Sequence, residues 1–259
     1  MGAVARLPAA VMSVAAPGER PRAFVVTDAG LVAAGVVDRV VALLEGAGVA
    51  TTVYDRVRPN PSTASVDDAA PAVRAVGRCV VVALGGGSSL DAAKVIALLG
   101  TNPGRAGDLV DTGAPRDGLP VVAVPTTAGT GAETNGFGVI DDPTARRKVY
   151  LGHPSVRPRV CVLDPELTVG LPPGPTAATG MDALVHGIES LSSRGSSPIS
   201  AAYATEAVRL VSGSLAAAVA DGADLDARAR LLLGSHLAGL ALSMLGSEVR
   251  PQWPSDSMR

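Results

Sequence analysis

The stretch Cys79-Val80-Val81-Val82-Ala83-Leu84-Gly85-Gly86-Gly87-Ser88-Ser89-Leu90-Asp91-Ala92-Ala93-Lys94 decides the fold. Its first part is an unbroken apolar run closed by glycines, the pattern of a strand buried on both faces. From Asp91 through Leu99 the composition is that of a helix, so Gly85, Gly86 and Gly87 form a strand-to-helix turn. Such a turn presents backbone N–H groups at the positive end of the helix, and residues without a Cβ let an anion come close to them. The stretch therefore reads as a phosphate cradle; the plainer alternative is a tight turn that only packs helix on strand. Ser88 is expected as the N-cap, with Asp91 three residues on completing a capping box. The spacing is neither G-x-G-x-x-G nor G-x-x-x-x-G-K-[ST], so neither standard nucleotide fingerprint applies.

Working outward toward the N-terminus, Ala23 to Asp28 is a compact strand ending in an acid, Leu31 to Leu44 carries a helical apolar pattern, and Val49 to Tyr54 reads as a second strand. Strand, helix, strand begins a parallel α/β sheet. A carboxylate at the end of such a strand can accept hydrogen bonds from a ribose and repel a 2′-phosphate, or it can simply close the turn, and Asp28 is open to both readings. Arg58-Pro59-Asn60-Pro61-Ser62 is a turn-rich break, followed by a helix from about Val66 to Val76. The mildly apolar start, Met1 to Met12, is expected to be a frayed leader or a short edge strand, and a secretory signal is the lesser alternative.

Working outward the other way, Asn102 to Asp117 is Gly-, Pro- and Asp-rich and reads as a loop. Leu119 to Val124 is a further strand, ending in Pro125-Thr126-Thr127-Ala128-Gly129-Thr130-Gly131-Ala132-Glu133. A small, polar, glycine-bearing motif at the carboxyl edge of a strand lies where open α/β sheets bind ligands. Gly138 to Ile140, Lys148 to Tyr150 and Arg159 to Asp164 read as short strands that finish the domain. Pro172-Pro173-Gly174-Pro175 is a linker, and from Thr176 the segments read as helices with no further strands. The boundary therefore falls near residues 170–175, giving an α/β domain over 1–171 and a helical one over 172–259. Asp182 and His186 stand four apart on one helical face, where a carboxylate and an imidazole can hold one divalent metal; an ordinary i, i+4 contact is the alternative.

Composition narrows the function. The chain has 259 residues, 47% hydrophobic and 18% charged, with a net charge of −2, so a globular protein is expected and a nucleic-acid surface is not. Aromatics are only 2%, which leaves few stacking platforms for bases. Cys79 and Cys161 both sit in apolar runs and read as core thiols in a reducing compartment. No stretch approaches the ~20 apolar residues that span a bilayer, so neither a membrane nor nucleic acid is expected as a partner, and a cytoplasmic location is expected.

Four ordered motifs resemble the iron-containing alcohol dehydrogenases, within the dehydroquinate synthase-like group: Gly85 to Lys94, Pro125 to Glu133, Asp164-Pro165-Glu166-Leu167-Thr168, and Thr176 to His186. That resemblance implies an N-terminal α/β dinucleotide-binding domain followed by an all-α domain. It implies NAD as cofactor, with Gly86, Gly87 and Ser88 on the pyrophosphate and Asp91 near the nicotinamide amide. By the same resemblance Thr126, Thr127 and Thr130 line the adenine and ribose side, Asp28 and Asn60 sit at the adenosine end, and Lys148 reaches the nicotinamide ribose. Asp182 and His186 would be the first two ligands of an Fe2+, or a Zn2+, acting as a Lewis acid in hydride transfer between a small alcohol or aldehyde and nicotinamide.

The family's two further histidine ligands have no counterpart, because no histidine follows His236, which lies a turn before the family's segment Gly239 to Ser243. The helical domain is thus expected to be incomplete, and Ser247 to Arg259, polar and proline-bearing, to be an ending foreign to the family. Since three protein ligands are the usual minimum for catalysis, weak NAD binding with little activity of this chain alone is expected. Uncovered helices are expected to drive self-association into a homo-oligomer. The competing readings are a non-catalytic dinucleotide-binding fragment or partner subunit, and lyase-type chemistry on the same fold.

Overall fold

The computed structural model describes residues 2–18 and 20–245; the stretch from Ser247 to Arg259 lies outside them. Two compact units emerge, one formed by residues 1–127 and 135–171, the other by 128–134 and 172–259.

The first unit is an α/β sandwich. A 3-10 turn at Ala3–Arg6 leads into α1 (Leu7–Val14), then β1 (Arg22–Val26), α2 (Ala29–Ala33), α3 (Val36–Gly46) and β2 (Ala50–Tyr54). There follow α4 (Thr63–Asp67), α5 (Ala70–Val76), β3 (Val80–Gly85), α6 (Gly87–Leu99), α7 (Ala106–Thr112) and β4 (Val121–Pro125). The unit closes with β5 (Phe137–Asp142), β6 (Arg147–Gly152) and β7 (Val160–Cys161). Five parallel strands run in the order β2-β1-β3-β4-β7. Their side chains alternate between two layers. Val25, Val82, Leu84 and Val124 face a core shared with Val4, Leu7 and Val11 and with Val37, Val40 and Leu44. Helix α6 is covered so thoroughly that every residue from Ala92 to Leu99 is buried.

Several expectations are corrected here. The N-terminal residues 7–14 form a helix, not an edge strand or frayed leader, because Val4, Leu7 and Val11 are fully buried in the core. The run Leu31 to Leu44 is two helices, since Gly35 takes a left-handed backbone (φ 73) that ends one and starts the next. The helix expected over Val66 to Val76 is likewise two, the first capped by Ser62 and Ser65 reciprocally. The expected loop over residues 102–117 contains α7, with the Asp108 carboxylate accepting from Arg105 N at 2.8 Å. Of the short strands thought to finish the domain, only β7 joins the sheet; β5 and β6 form a separate antiparallel hairpin.

The second unit is helical: α8 (Pro173–Ser192), α9 (Pro198–Ala220) and α10 (Leu225–Ser243). Proline at the first position opens α8 and α9, where its missing N–H costs nothing. Ser197 caps α9, and Asp224 caps α10 by accepting from Asp226 N and Ala227 N. The facing sides carry Ala183, Ala204, Ala207, Val211, Leu231 and Ala238, all buried. On the outer face of α8, Met181, Val185, Ile188 and Leu191 are exposed in a stripe. Residues 128–134, which in sequence join β4 to β5, belong to this unit. Gly131 there comes so near Gly239 of α10 that a Cβ on Gly131 would lie 2.6 Å from its Cα. Among the described residues no helix is long and apolar enough to cross a membrane.

Candidate dinucleotide and metal sites

In the first unit the chain leaves β1 outward to β2 and then returns to build β3 and β4, so β1 and β3 are neighbours at which the sheet reverses direction. Ligands of open α/β sheets bind outside the carboxyl ends of strands at such a point. Asp28 lies just past the end of β1, Gly85 ends β3, and Thr126 and Thr127 follow β4. Thr126 N donates to Gly85 O at 3.0 Å, which holds the ends of β3 and β4 together.

Gly85 takes φ +145, and a Cβ there would lie 2.6 Å from Ser89 Oγ. Only glycine fits that bend. The N-cap of α6 is Gly86, which has no side chain to cap with, so the helix begins at Gly87 rather than at Ser88. This corrects the expected capping box. Ser88 does other work: its Oγ accepts from Asn60 N at 3.2 Å. Asn60 stands in the left-handed region (φ 52), and its Oδ1 accepts from Lys148 Nζ at 3.2 Å. Ser88, Asn60 and Lys148 are thereby joined beside the start of α6, a helix with no side-chain cap.

Asp28 is the N-cap of α2, its Oδ1 accepting from Gly30 N at 2.9 Å and Leu31 N at 3.2 Å. Its Oδ2 takes a longer bond, 3.4 Å, from Ser89 Oγ. So Asp28 closes a turn, and its second oxygen faces the glycine bend. Neighbouring Thr27 is fully buried, and its Oγ1 has no hydrogen-bond partner. Asp91, one turn further into α6, accepts from Val139 N at 3.1 Å and pairs with Lys94 Nζ at 3.0 Å. Lys94 is the one cation of α6, and a charge set in the run Ala92 to Leu99 is the sequence signal that it has a buried partner. Cys79, just before β3, is buried, and loss of hydration pushes its thiol up to about 12, with nearby Arg22 opposing. It is a core thiol, as expected.

In the second unit Asp182 and His186 share a face of α8, with His186 Nε2 3.5 Å from Asp182 Oδ1. Two donors bound to one ion through bonds of about 2.1 Å at tetrahedral angles stand roughly 3.4 Å apart, so this pair matches one edge of a metal site. His186 Nδ1 is buried without a hydrogen-bond partner. A metal-bound histidine normally spends that atom as well, on a neighbouring acceptor, so the case for a metal rests on the spacing of the pair. The residues therefore fit part of a metal centre. They do not complete one, because no group of three or more His, Cys, Asp or Glu stands together among the described residues. Thr130 belongs to this unit with residues 128–134, apart from Thr126 and Thr127; its Oγ1 accepts from Ala132 N at 3.3 Å. The sequence reading passed over Glu133, which is buried and meets His236 Nδ1 at 3.1 Å. An acid within a run of small residues was the one sign of it. His153, by contrast, caps a turn at Pro154–Val156.

A glycine bend at the switch point of a parallel sheet, followed by a helical unit that carries the Asp182 and His186 pair, defines an α/β plus all-α architecture. The profile of the family described as "Iron-containing alcohol dehydrogenase" matches residues 2–165, and that of the "Fe-containing alcohol dehydrogenase family, C-terminal" matches residues 176–249. The chain belongs to the iron-containing alcohol dehydrogenase family. It is 40% identical over 223 residues to "Alcohol dehydrogenase 4" of Saccharomyces cerevisiae, covering 86% of this chain and 58% of that one. It is 42% identical over 224 residues to a probable alcohol dehydrogenase of Salmonella typhimurium, covering 86% and 57%. Sulfoacetaldehyde reductase from Bifidobacterium kashiwanohense, solved in complex with NAD+, superposes with a TM-score of 0.85 at 34% identity over 93% of this chain and 63% of that one. The chain thus spans about three fifths of the length of the relatives it matches.

Proposed function

We propose that the protein is an NAD-dependent, iron- or zinc-dependent alcohol dehydrogenase and aldehyde reductase, moving hydride between a small alcohol and nicotinamide. The observation that carries this is the Asp182 and His186 pair, two donors at ion spacing on one face of α8. Family membership and the uncapped start of α6 support the dinucleotide half.

In this reading Gly86, Gly87 and Ser88 take the pyrophosphate on the first-turn N–H groups of α6. Lys148, steered by Asn60, brings a cation toward the same place. Asp28 uses its second oxygen on ribose hydroxyls and repels a 2′-phosphate, which favours NAD over NADP. Asp91 accepts from the nicotinamide amide, while Thr126 and Thr127 line the adenine and ribose side. Asp182 and His186 would hold the metal, which when bound supplies Lewis acidity toward an alcohol oxygen.

A second reading, a non-catalytic dinucleotide-binding fragment or partner subunit, is favoured by that two-donor set, one fewer than catalysis usually needs. Metal content and NADH production with short primary alcohols, measured after reconstitution with Fe2+ or Zn2+, separate the two. The first reading expects bound metal and turnover, both lost in His186→Ala. NADH binding without metal or turnover in the unaltered chain would select the second.

A further inference from the structure

Lys94 is the largest charged group that the α/β unit buries, with no exposed surface at all. A buried ammonium is costly unless every proton finds a partner and an opposite charge stands near. Here Nζ pairs with Asp91 Oδ1 at 3.0 Å, donates to Asn135 Oδ1 at 2.8 Å, and lies 5.6 Å from the centroid of the Phe137 ring. Each partner is tied to β5. Asn135 Oδ1 also accepts from Phe137 N at 3.1 Å, and Asp91 Oδ2 accepts from Val139 N at 3.1 Å. The approach of β5 to α6 is close, since a Cβ on Gly138 would stand 2.4 Å from Asp91 O. The Asp91 side chain keeps 15% of its surface open. Both oxygens are thus anchored from the protein side, while part of the side chain stays accessible.

A core lysine that served packing alone would be replaced by an apolar residue without loss, and often with gain. The arrangement instead fixes one carboxylate on the helix that starts at the glycine bend. We propose that Lys94 is a positioning residue for the nicotinamide end of the cofactor: its buried ammonium locks Asp91 in the one orientation that accepts a hydrogen bond from the nicotinamide carboxamide. This rests on the reading of the α6 start as a dinucleotide site, and it adds a residue that never touches the ligand.

The test compares two ligands on the full chain, NADH and ADP-ribose, which lacks nicotinamide. A hydrogen bond to a charged acceptor gives roughly a tenfold or larger preference for NADH in the unaltered protein. Lys94→Met is expected to bring the ratio of the two dissociation constants near one while leaving ADP-ribose affinity unchanged. Asp91→Asn is expected to do the same, and the double variant to lose no more than either alone, because both act through one carboxylate. If Lys94→Met does not fold, Lys94→Leu, of similar volume and without a donor, carries the test with the same expectation. An unchanged ratio, equal losses for both ligands, or additive losses in the double variant would overturn the proposal. Equal binding of both ligands by the unaltered chain would overturn it and spare the dinucleotide site; binding of neither would overturn the site as well.

Discussion

Gly85→Ala and Gly86→Ala differ by one position and should behave very differently. At Gly85 the added Cβ would sit 2.6 Å from Ser89 Oγ and 2.7 Å from Ser89 Cβ. Ser89 is buried on the first turn of α6, so rotating its hydroxyl away does not clear the Cβ contact, and the helix start must shift. The backbone itself, at φ +145, costs an L-residue about 1–3 kcal/mol, and overpacking adds about 1–3 kcal/mol more. A loss of roughly 2–6 kcal/mol is a large part of a domain's typical margin of about 5–15 kcal/mol. Gly86 is extended (φ −79, ψ −174), and its Cβ would meet only the Thr127 methyl at 3.2 Å. That contact relaxes by a few tenths of an ångström, so the expected cost is below about 1 kcal/mol. Its dinucleotide affinity should nevertheless fall by about tenfold or more, because the methyl narrows the approach to the α6 N–H groups. Urea unfolding followed by far-ultraviolet circular dichroism measures the first effect and NADH titration the second. Equal stability losses for the two variants would refute the assignment of strain to Gly85, and unimpaired NADH binding by Gly86→Ala would refute the cradle.

Asp28→Asn keeps an acceptor for Gly30 N and Leu31 N, so stability should stay within about 0.5 kcal/mol while NADP+ binding improves relative to NAD+ in competitive titration. Glu133→Ala removes the buried partner of His236 and should cost roughly 1–3 kcal/mol in thermal unfolding, with NADH affinity unaltered. Burial holds the Cys79 proton in the folded chain up to about 12 against an ordinary 9.0, so between those values the unfolded chain binds fewer protons and stability falls as pH rises. The difference in unfolding midpoint between the unaltered chain and Cys79→Ala should be constant below pH 9 and change above it, the unaltered chain losing more stability as pH rises.

Much of this molecule was legible in one dimension for a simple reason. Strands buried on both faces must be continuously apolar, and the helix after them must begin with residues lacking a Cβ if an anion is to reach its amides. Val80 to Leu84 and the glycine triplet satisfied both conditions locally, so strand, turn and helix could be placed without knowing any distant contact. Asp182 and His186 were legible because helical periodicity alone puts i and i+4 on one face. Cap identity was less accessible: Ser88 has the right chemistry for an N-cap, but Asn60, distant in sequence, uses its hydroxyl. The break in the helix over residues 29–46 turned on the left-handed backbone of a single residue, Gly35, which apolar periodicity does not encode.

The sequence alone determined the alternation of strands and helices, the change to an all-helical second half, the family, and the residue types available to an anion and to a metal. Tertiary structure decided which of them meet. Residues 128–134 join the helical unit although β4 and β5, which they connect, belong to the other, because Gly131 packs on Gly239 and Glu133 pairs with His236 more than a hundred positions away. Lys94 acquired its place the same way, from Asn135, Phe137 and Val139 brought against α6 by β5. Periodicity specifies which face a side chain occupies; a buried charge is satisfied only by groups that the completed packing brings to it.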